Sequence, residues 1–273
     1  APLKIAVIRT PKISNFTDFD ALSCEEDVCL YYVSSPDKLG EPDLIILPGS
    51  KNTTEDLLYL RSSGIEDKLK TAYAGKAPII GVCGGYQMLG RTIRDPYHTE
   101  SLHDEVEALG FLPMVTTFAE KKVTSQVIAQ SLDWQFLGEK HNFMQLHGYE
   151  IHMGETSSVG GDIVKNVIKE QEKAVNHSLL KLREEQAGNH TEKQDGCCRD
   201  NLYGTYVHGI FDKAEVAETI IRALMKEKGM EPEVGGLSFD YEKYREEQYN
   251  RLADTMRKYL DMEAIYRILE RGV

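Results

Sequence analysis

The feature that most restricts the fold is a set of short apolar runs, rich in β-branched residues, in the first 82 residues. These runs are Leu3 to Arg9, Leu30 to Val33, Leu44 to Leu47 and Pro78 to Val82. Such runs are typical of strands buried on both faces of a parallel sheet. Between the last two, Asn52 and Glu55 form a helix-start pattern, and Gly64 can end that helix. Strands alternating with helices predict an α/β fold with a mostly parallel central sheet flanked by helices.

The remaining segments predict additions to the same domain. Short strand-like runs between Leu109 and Ile128 indicate an antiparallel annex, and Leu202 to Val207 predicts another strand. Residues 155–200 are polar, with a helix over 164–182 as the one clear element, and we interpret them as a surface excursion. We therefore predict one domain over residues 1–212.

Residues 213–273 predict a helical extension packed on that domain. Lys213 to Lys228 has a helical pattern, and after a Pro/Gly break an apolar stripe returns at helical spacing. The stripe consists of Tyr249, Leu252, Met256, Tyr259 and Leu260.

Composition and charge exclude several classes of protein. Of 273 residues, 41% are hydrophobic and 28% charged, which is ordinary for a globular chain. The formal net charge of -12 argues against binding nucleic acid by phosphate neutralisation. No apolar run approaches the roughly 20 residues of a membrane span, and the start lacks a signal-peptide layout, so we expect a cytoplasmic protein without a membrane partner.

Metal and nucleotide sites are not expected in this chain. The five cysteines form no C-x-x-C pair, which predicts free thiols. Several histidines show no metal-ligand spacing: His98, His103, His141, His147 and His190. The turn at Gly49 to Lys51 lacks the spacing of a phosphate-binding loop, so we predict no ATP site and no cofactor here.

The strongest chemical signal is Cys83 in the segment Ala77 to Gly90. An apolar strand there runs into Gly-Val-Cys-Gly-Gly and then into a helical pattern, which is the context of a nucleophile elbow. Gly81 and Gly85 let strand and helix close while the thiol stands out. We expect the following helix to lower the thiol pKa.

A cysteine nucleophile needs a base and a place for the developing oxyanion. His208 ends a second strand, and carboxyl ends of parallel strands meet at one edge of a sheet, so His208 can face Cys83. The backbone N–H groups of Gly49, Ser50 and Gly84 are the expected oxyanion donors.

Four long motifs resemble one family. They are Pro48 to Thr53 (PGSKNT), Gly81 to Gly90 (GVCGGYQMLG), Gly148 to Gly154 (GYEIHMG) and Tyr203 to Asp212 (YGTYVHGIFD). These segments are similar to the glutamine amidotransferase half of cobyric acid synthases, as are Ile8 to Asp20 and parts of the carboxyl-terminal region.

This resemblance implies a class I, triad-type amidotransferase fold in which Cys83 attacks the side-chain amide of L-glutamine and His208 shuttles protons. It implies that ammonia passes to a synthetase domain, absent from this sequence, which uses ATP and Mg²⁺. That domain amidates adenosylcobyrinic acid a,c-diamide, a corrinoid of cobalamin biosynthesis. By the same likeness, Gln87 contacts the bound glutamine and His152 belongs to a shared motif of unassigned role.

The sequence alone does not identify a third catalytic residue. Typical triad amidotransferases carry Glu two residues after the histidine, where this chain has Ile210. A Cys–His dyad, or a carboxylate from elsewhere, then orients the imidazole, and Asp212 and Glu150 are the candidates.

Two other interpretations remain. A free-standing glutaminase subunit that serves amidation of peptidoglycan lipid precursors would share the elbow and the histidine strand. A non-catalytic α/β interaction module would carry Cys83 as a vestige.

Overall fold

Two six-stranded sheets and a two-stranded hairpin organise the part of the chain that the computed structural model describes, residues 2–132, 134–158, 178–184, 192–231 and 239–271. The strands are β1 (Leu3–Ile8), β2 (Val28–Val33), β3 (Leu44–Leu47), β4 (Ile79–Val82), β5 (Thr92–Arg94), β6 (Glu105–Glu107), β7 (Met114–Ser131), β8 (Trp134–Phe136), β9 (Glu139–His141), β10 (Leu146–Ser158), β11 (Leu180–Glu184), β12 (Glu192–Asp195), β13 (Cys197–Arg199) and β14 (Leu202–Thr205). The helices are α1 (Asp20–Ser23), α2 (Thr53–Ser63), α3 (Ile65–Ala74), α4 (Gly84–Leu89), α5 (Ala214–Glu227), α6 (Tyr241–Tyr259) and α7 (Met262–Arg271), with 3₁₀ helices at Phe16–Phe19 and Pro36–Lys38.

The central sheet has the order β13-β14-β4-β3-β1-β2. Every neighbouring pair is parallel except β13 with β14. The prediction of a mostly parallel α/β sheet is therefore confirmed. Strands β3, β4 and β14 are fully buried, which for β3 and β4 follows from their apolar sequences.

The register of this sheet brings three chain turns to one edge. Leu47 at the end of β3 pairs with Gly81, and Thr205 at the end of β14 pairs with Val82. The turns after β3, β4 and β14 consequently lie side by side at the carboxyl edge.

The predicted helix signals act as expected. The side chain of Asn52 accepts a hydrogen bond from the Glu55 N–H at 2.8 Å at the start of α2. Gly64 ends that helix in the left-handed region with φ 80°.

The second sheet forms the predicted antiparallel annex, but two of its strands, β7 and β10, are much longer than expected. β7 runs for 18 residues and pairs with β10 across a register shift between His152 and Gly154. The sheet also contains β5, β6, β11 and β12, and β5 pairs with β7 in parallel.

The polar segment 155–200 contributes strands to both sheets where it is described. β11 and β12 extend the second sheet and β13 ends the central one. Most of the predicted helix over 164–182 lies outside the described residues. Its last part is wrong, because Leu180 and Leu182 lie in β11 with buried side chains.

Helix α5 confirms the predicted helix after residue 213 and buries its apolar side against the core. α6 begins with the buried Tyr241, and most of its later residues are exposed.

Candidate active site

Cys83 occupies a strained turn between β4 and α4. Its φ of 51° and ψ of -108° are unusual for a residue with a Cβ atom. The turn closes only because its neighbours are glycines. A Cβ on Gly85 would lie 2.0 Å from the Leu47 carbonyl oxygen, and one on Gly81 would lie 2.7 Å from the Tyr86 nitrogen. The strand–elbow–helix geometry predicted for this segment is present.

The environment of the thiol differs from the prediction. Cys83 is buried and its Sγ lies 3.7 Å from the Ile151 carbonyl oxygen. Burial raises the pKa of Cys83 to about 12, and the Gly84 N–H offsets only part of that rise. The expectation of a lowered pKa is wrong because the increase caused by desolvation is larger than any decrease that the six-residue helix α4 causes. A protonated thiol must give its proton to a neighbouring base as its sulfur attacks.

His208 follows β14 as Cys83 follows β4, and these strands are parallel neighbours. The imidazole is fully buried, and the ring of Tyr149 stacks on it at 5.0 Å between centroids. The Asn15 amide nitrogen lies 3.1 Å from Nε2 and 3.2 Å from Nδ1, so it sits over the face of the ring. These contacts fix the position of the imidazole at the edge that carries Cys83.

The carboxylate that orients His208 belongs to Asp18. Its Oδ2 lies 2.6 Å from His208 Nδ1, and its Oδ1 accepts the Gly209 N–H at 3.3 Å. Asp18 is 4% exposed in the 3₁₀ helix Phe16–Phe19. With Nδ1–H donated to Asp18, the neutral imidazole keeps Nε2 as a proton acceptor.

The two carboxylates predicted for this role are paired elsewhere. Asp212 accepts a hydrogen bond from Arg245 at 2.7 Å, and burial raises the pKa of Asp212 to about 6 despite the guanidinium. Glu150 pairs with Lys193 at 2.6 Å and faces His152 at 3.6 Å. Distance along the chain separates Asp18 from His208, so no local spacing could indicate their contact.

The predicted oxyanion donors lie in touching turns. A Cβ on Gly84 would be 2.9 Å from the Ser50 nitrogen, and one on Gly49 would be 3.2 Å from His208 Cε1. The turn after β3 therefore contacts both the elbow and the imidazole. The assignment of these amides as oxyanion donors stays a prediction.

A cavity of about 250 Å³ opens beside Cys83. Its lining includes Ser50, Lys51, Cys83, Gln87, Glu100 and Lys122. The volume suits a small metabolite.

Gln87 is held rigidly in the wall of this cavity. Its Oε1 accepts from Thr53 Oγ1 at 3.0 Å, and its Nε2 donates to the Tyr206 hydroxyl at 3.2 Å. His152 lines the cavity as well, stacked on Tyr206 with centroids 3.9 Å apart. Both residues thus belong to the cavity wall.

Glu100 is a cavity residue that sequence reasoning missed. Its Oε2 accepts the Thr53 N–H at 2.7 Å, at the start of α2. Burial, with a smaller contribution from Asp95, raises the pKa of Glu100 to about 7. The residue lies in an irregular loop, which Asp95 holds by accepting the backbone N–H groups of Thr99 and Ser101 at 2.7 and 2.9 Å. No periodic pattern in the sequence indicates this position.

Within the described ranges, no three or more His, Cys, Asp or Glu side chains are grouped so that they could hold a metal ion. His190 lies outside those ranges. None of the described helices combines the length and apolar character that crossing a membrane requires.

Comparison with solved structures identifies the fold. The chain is similar to PurLQS from Thermotoga maritima, with a TM-score of 0.55, 16% identity, and coverage of 84% of this chain and 100% of that chain. A solved glutamine amidotransferase gives a TM-score of 0.50 at 12% identity, covering 81% of this chain and 98% of that one. The chain therefore shares its fold with a solved glutamine amidotransferase.

Residues 4–216 match the model of the CobB/CobQ-like glutamine amidotransferase domain, and the chain belongs to that family. The cobyric acid synthase of Clostridium tetani is 43% identical over 270 residues, covering 98% of this chain and 49% of that protein. The cobyric acid synthase of Ruminiclostridium cellulolyticum is 43% identical over 271 residues, which cover 99% of this chain and 50% of that protein. The chain thus spans about half the length of these curated relatives.

Proposed function

We propose that this chain is the glutaminase half of a cobyric acid synthase. It hydrolyses the side-chain amide of L-glutamine through Cys83 and supplies ammonia for ATP-dependent amidation of adenosylcobyrinic acid a,c-diamide in cobalamin biosynthesis. The observation that carries this proposal is the Cys83 elbow beside the buried His208–Asp18 pair, in a chain 43% identical to half of a cobyric acid synthase.

In the first chemical step, His208 Nε2 accepts the Sγ proton as sulfur attacks the amide carbon of glutamine. The raised pKa of Cys83 favours this concerted course, since a free thiolate is scarce before substrate binds. Asp18 holds Nδ1–H and stabilises the imidazolium that forms. The amide oxygen gains negative charge and receives hydrogen bonds from the backbone N–H groups of Gly84 and Ser50.

The tetrahedral intermediate then collapses. The C–N bond breaks, imidazolium returns its proton to the departing nitrogen, and ammonia leaves a thioester on Cys83. His208 next deprotonates a water molecule that attacks the thioester carbon. The products are glutamate and the regenerated thiol, so one water is consumed for each ammonia released.

The cavity beside Cys83 offers complementary groups for the amino-acid end of glutamine. The Glu100 carboxylate would accept hydrogen bonds from the α-ammonium group. Lys51 and Lys122, which line the same cavity, supply positive charge for the α-carboxylate. Gln87, fixed by Thr53 and Tyr206, would contact the side chain of the substrate.

The partner in this proposal is the synthetase half that makes up the rest of the curated relatives. ATP and Mg²⁺ would act there with the corrinoid, and glutamine hydrolysis in this chain would need no cofactor. Ammonia would pass between the two sites rather than to water.

An isotope experiment tests the proposal. Glutamine labelled with ¹⁵N at the side-chain amide is supplied to this chain together with the synthetase half, ATP, Mg²⁺ and the cobyrinic acid diamide, and the products are analysed by mass spectrometry. We expect ¹⁵N in the corrinoid amides. Label in a peptidoglycan lipid precursor with a different ligase would instead establish the free-standing glutaminase, and absence of ammonia release would establish the interaction module.

A further inference from the structure

Helix α6 is attached to the domain by its first turns. Tyr241 is 8% exposed, and its hydroxyl lies 3.5 Å from Asp20 Oδ2. One turn later, Arg245 donates to Asp212 at 2.7 Å. The helix has 19 residues, so at 1.5 Å per residue it extends about 28 Å, well beyond these two contacts.

The side of α6 that meets the domain continues along the helix, where no other described segment covers it. Four residues follow Arg245 at helical spacing, and we name them the C-terminal apolar face: Tyr249, Leu252, Met256 and Tyr259. They are 60%, 57%, 42% and 73% exposed. In α7, Ile268 and Leu269 are also exposed, at 58% and 71%. Adjacent exposed apolar side chains on an amphipathic helix mark a protein interaction site.

The comparisons show that α6 is shared with longer relatives. The amidotransferase family model ends at residue 216, before α6 begins. The alignment with the Clostridium tetani cobyric acid synthase nevertheless takes in 270 residues, or 98% of this chain, and therefore reaches α6. Helix α6 therefore lies outside the amidotransferase domain, in a region that this chain has in common with relatives of about twice its length.

The position of α6 also suits a partner that receives ammonia. Tyr249 and Arg245 line a cavity of about 320 Å³ whose wall includes Asp18 and Tyr149, two of the residues that contact His208. The carboxylate that binds Arg245 lies in the turn directly after His208, where the Asp212 N–H bonds the Gly209 carbonyl at 3.1 Å. A protein seated on α6 would therefore lie next to the His208–Asp18 pair.

We propose that the C-terminal apolar face is the docking surface for the ATP-dependent synthetase half. This inference rests on the proposed function for the identity of the partner. Docking there covers the exposed apolar residues and ties the partner, through Arg245 and Asp212, to the turn that carries His208.

The test is a binding measurement with the complete 273-residue chain. The double variant L252E/M256E places two charges on the face, away from the cavity that holds Cys83. Its control is L132E, which introduces one such charge at a 44% exposed leucine in the turn after β7. The partner is the synthetase half that acts with this chain, produced separately and shown by circular dichroism to be folded.

We expect L252E/M256E to bind the synthetase half at least about 30-fold more weakly, as for loss of an interface hot spot. L132E should bind like the wild type, and glutamine hydrolysis by each isolated variant should be unchanged. Unaltered affinity of the double variant, or no binding by the wild type, would overturn the proposal. So would a wild-type dimer that the double variant converts to monomer in sedimentation velocity, since a second copy would then cover the face.

Failure of the proposed function gives a different result. If the wild type releases no ammonia from glutamine but the double variant still loses affinity for the synthetase half, the docking surface stands and the glutaminase assignment falls.

Discussion

Replacing Asp18 with Asn tests whether this residue orients the proposed catalytic histidine. The substitution keeps the size of the side chain and removes the negative charge 2.6 Å from His208 Nδ1. A hydrogen bond to a charged group contributes about 1.5–3 kcal/mol. At about 1.4 kcal/mol for each factor of ten, losing that contribution slows the reaction about 10- to 150-fold.

A second effect adds to the first. The amide of Asn can donate to Nδ1, which leaves the proton on Nε2, and that nitrogen can then no longer accept the thiol proton. The wrong tautomer costs about 10⁴-fold in kcat in the serine protease triad. We therefore expect Asp18→Asn to lower kcat by about 10²- to 10⁴-fold. KM should change little, because Asp18 is not among the residues that line the cavity beside Cys83.

The assay is ammonia release from glutamine, coupled to reductive amination of 2-oxoglutarate, with thermal unfolding as the check on folding. The matched control is Asp212→Asn, which removes a carboxylate that pairs with Arg245 instead of His208. It should keep activity within about fivefold, since partly exposed ion pairs contribute little. Folded Asp18→Asn with more than about a tenth of wild-type kcat, or an equally inactive Asp212→Asn, would show that Asp18 does not orient His208.

Three further predictions concern the elbow and the cavity. Cys83→Ser should lower ammonia release by several orders of magnitude with an unchanged circular dichroism spectrum, and substantial residual activity would exclude Cys83 as nucleophile. Because the pKa of Glu100 is raised to about 7, its carboxylate protonates as pH falls below that value, so KM for glutamine should rise there. Glu100→Gln should raise KM above about pH 7, to near the value that the wild type shows at lower pH, and remove this inflection; a retained inflection would assign it to another group. Gly85→Ala should destabilise the fold by more than about 2 kcal/mol in urea unfolding because its Cβ meets backbone. Gly75→Ala, whose Cβ would have ordinary contacts at 3.4 Å, is its control, and equal stability of the two variants would contradict the steric argument.

The sequence predicts the central sheet well because its signals are local. Strands β3 and β4 are short apolar runs, and Asn52 and Gly64 bound a helix through contacts within a few residues. The elbow is similarly local, since Gly81 and Gly85 have steric reasons to flank Cys83.

The second sheet is harder to predict. Polar residues Glu120, Lys121 and Lys122 interrupt the apolar pattern and suggest two short strands. They are exposed positions of the single long strand β7, so their charged side chains stay in water. Pairing with β10 on both sides of these residues, at Phe118 and at Val123, joins the two runs into one strand across the register shift.

Features of the site that depend on burial or on distant contacts could not be predicted. The segment Ile8 to Asp20 resembles the family, yet nothing in it shows that Asp18 meets a histidine 190 residues away. The pKa of Cys83 is raised because other elements enclose the thiol. The local helix, considered alone, predicts a lowered pKa. Glu100 enters the cavity through a loop shaped by Asp95.

The central claim is that glutamine is hydrolysed through a thioester on Cys83. Acid quenching of the chain during turnover, followed by digestion and mass spectrometry, measures this intermediate directly. We expect a glutamyl adduct on the peptide that contains Cys83 and none in Cys83→Ser. Continued ammonia release with no adduct on Cys83, or with the adduct on another residue, would contradict the account.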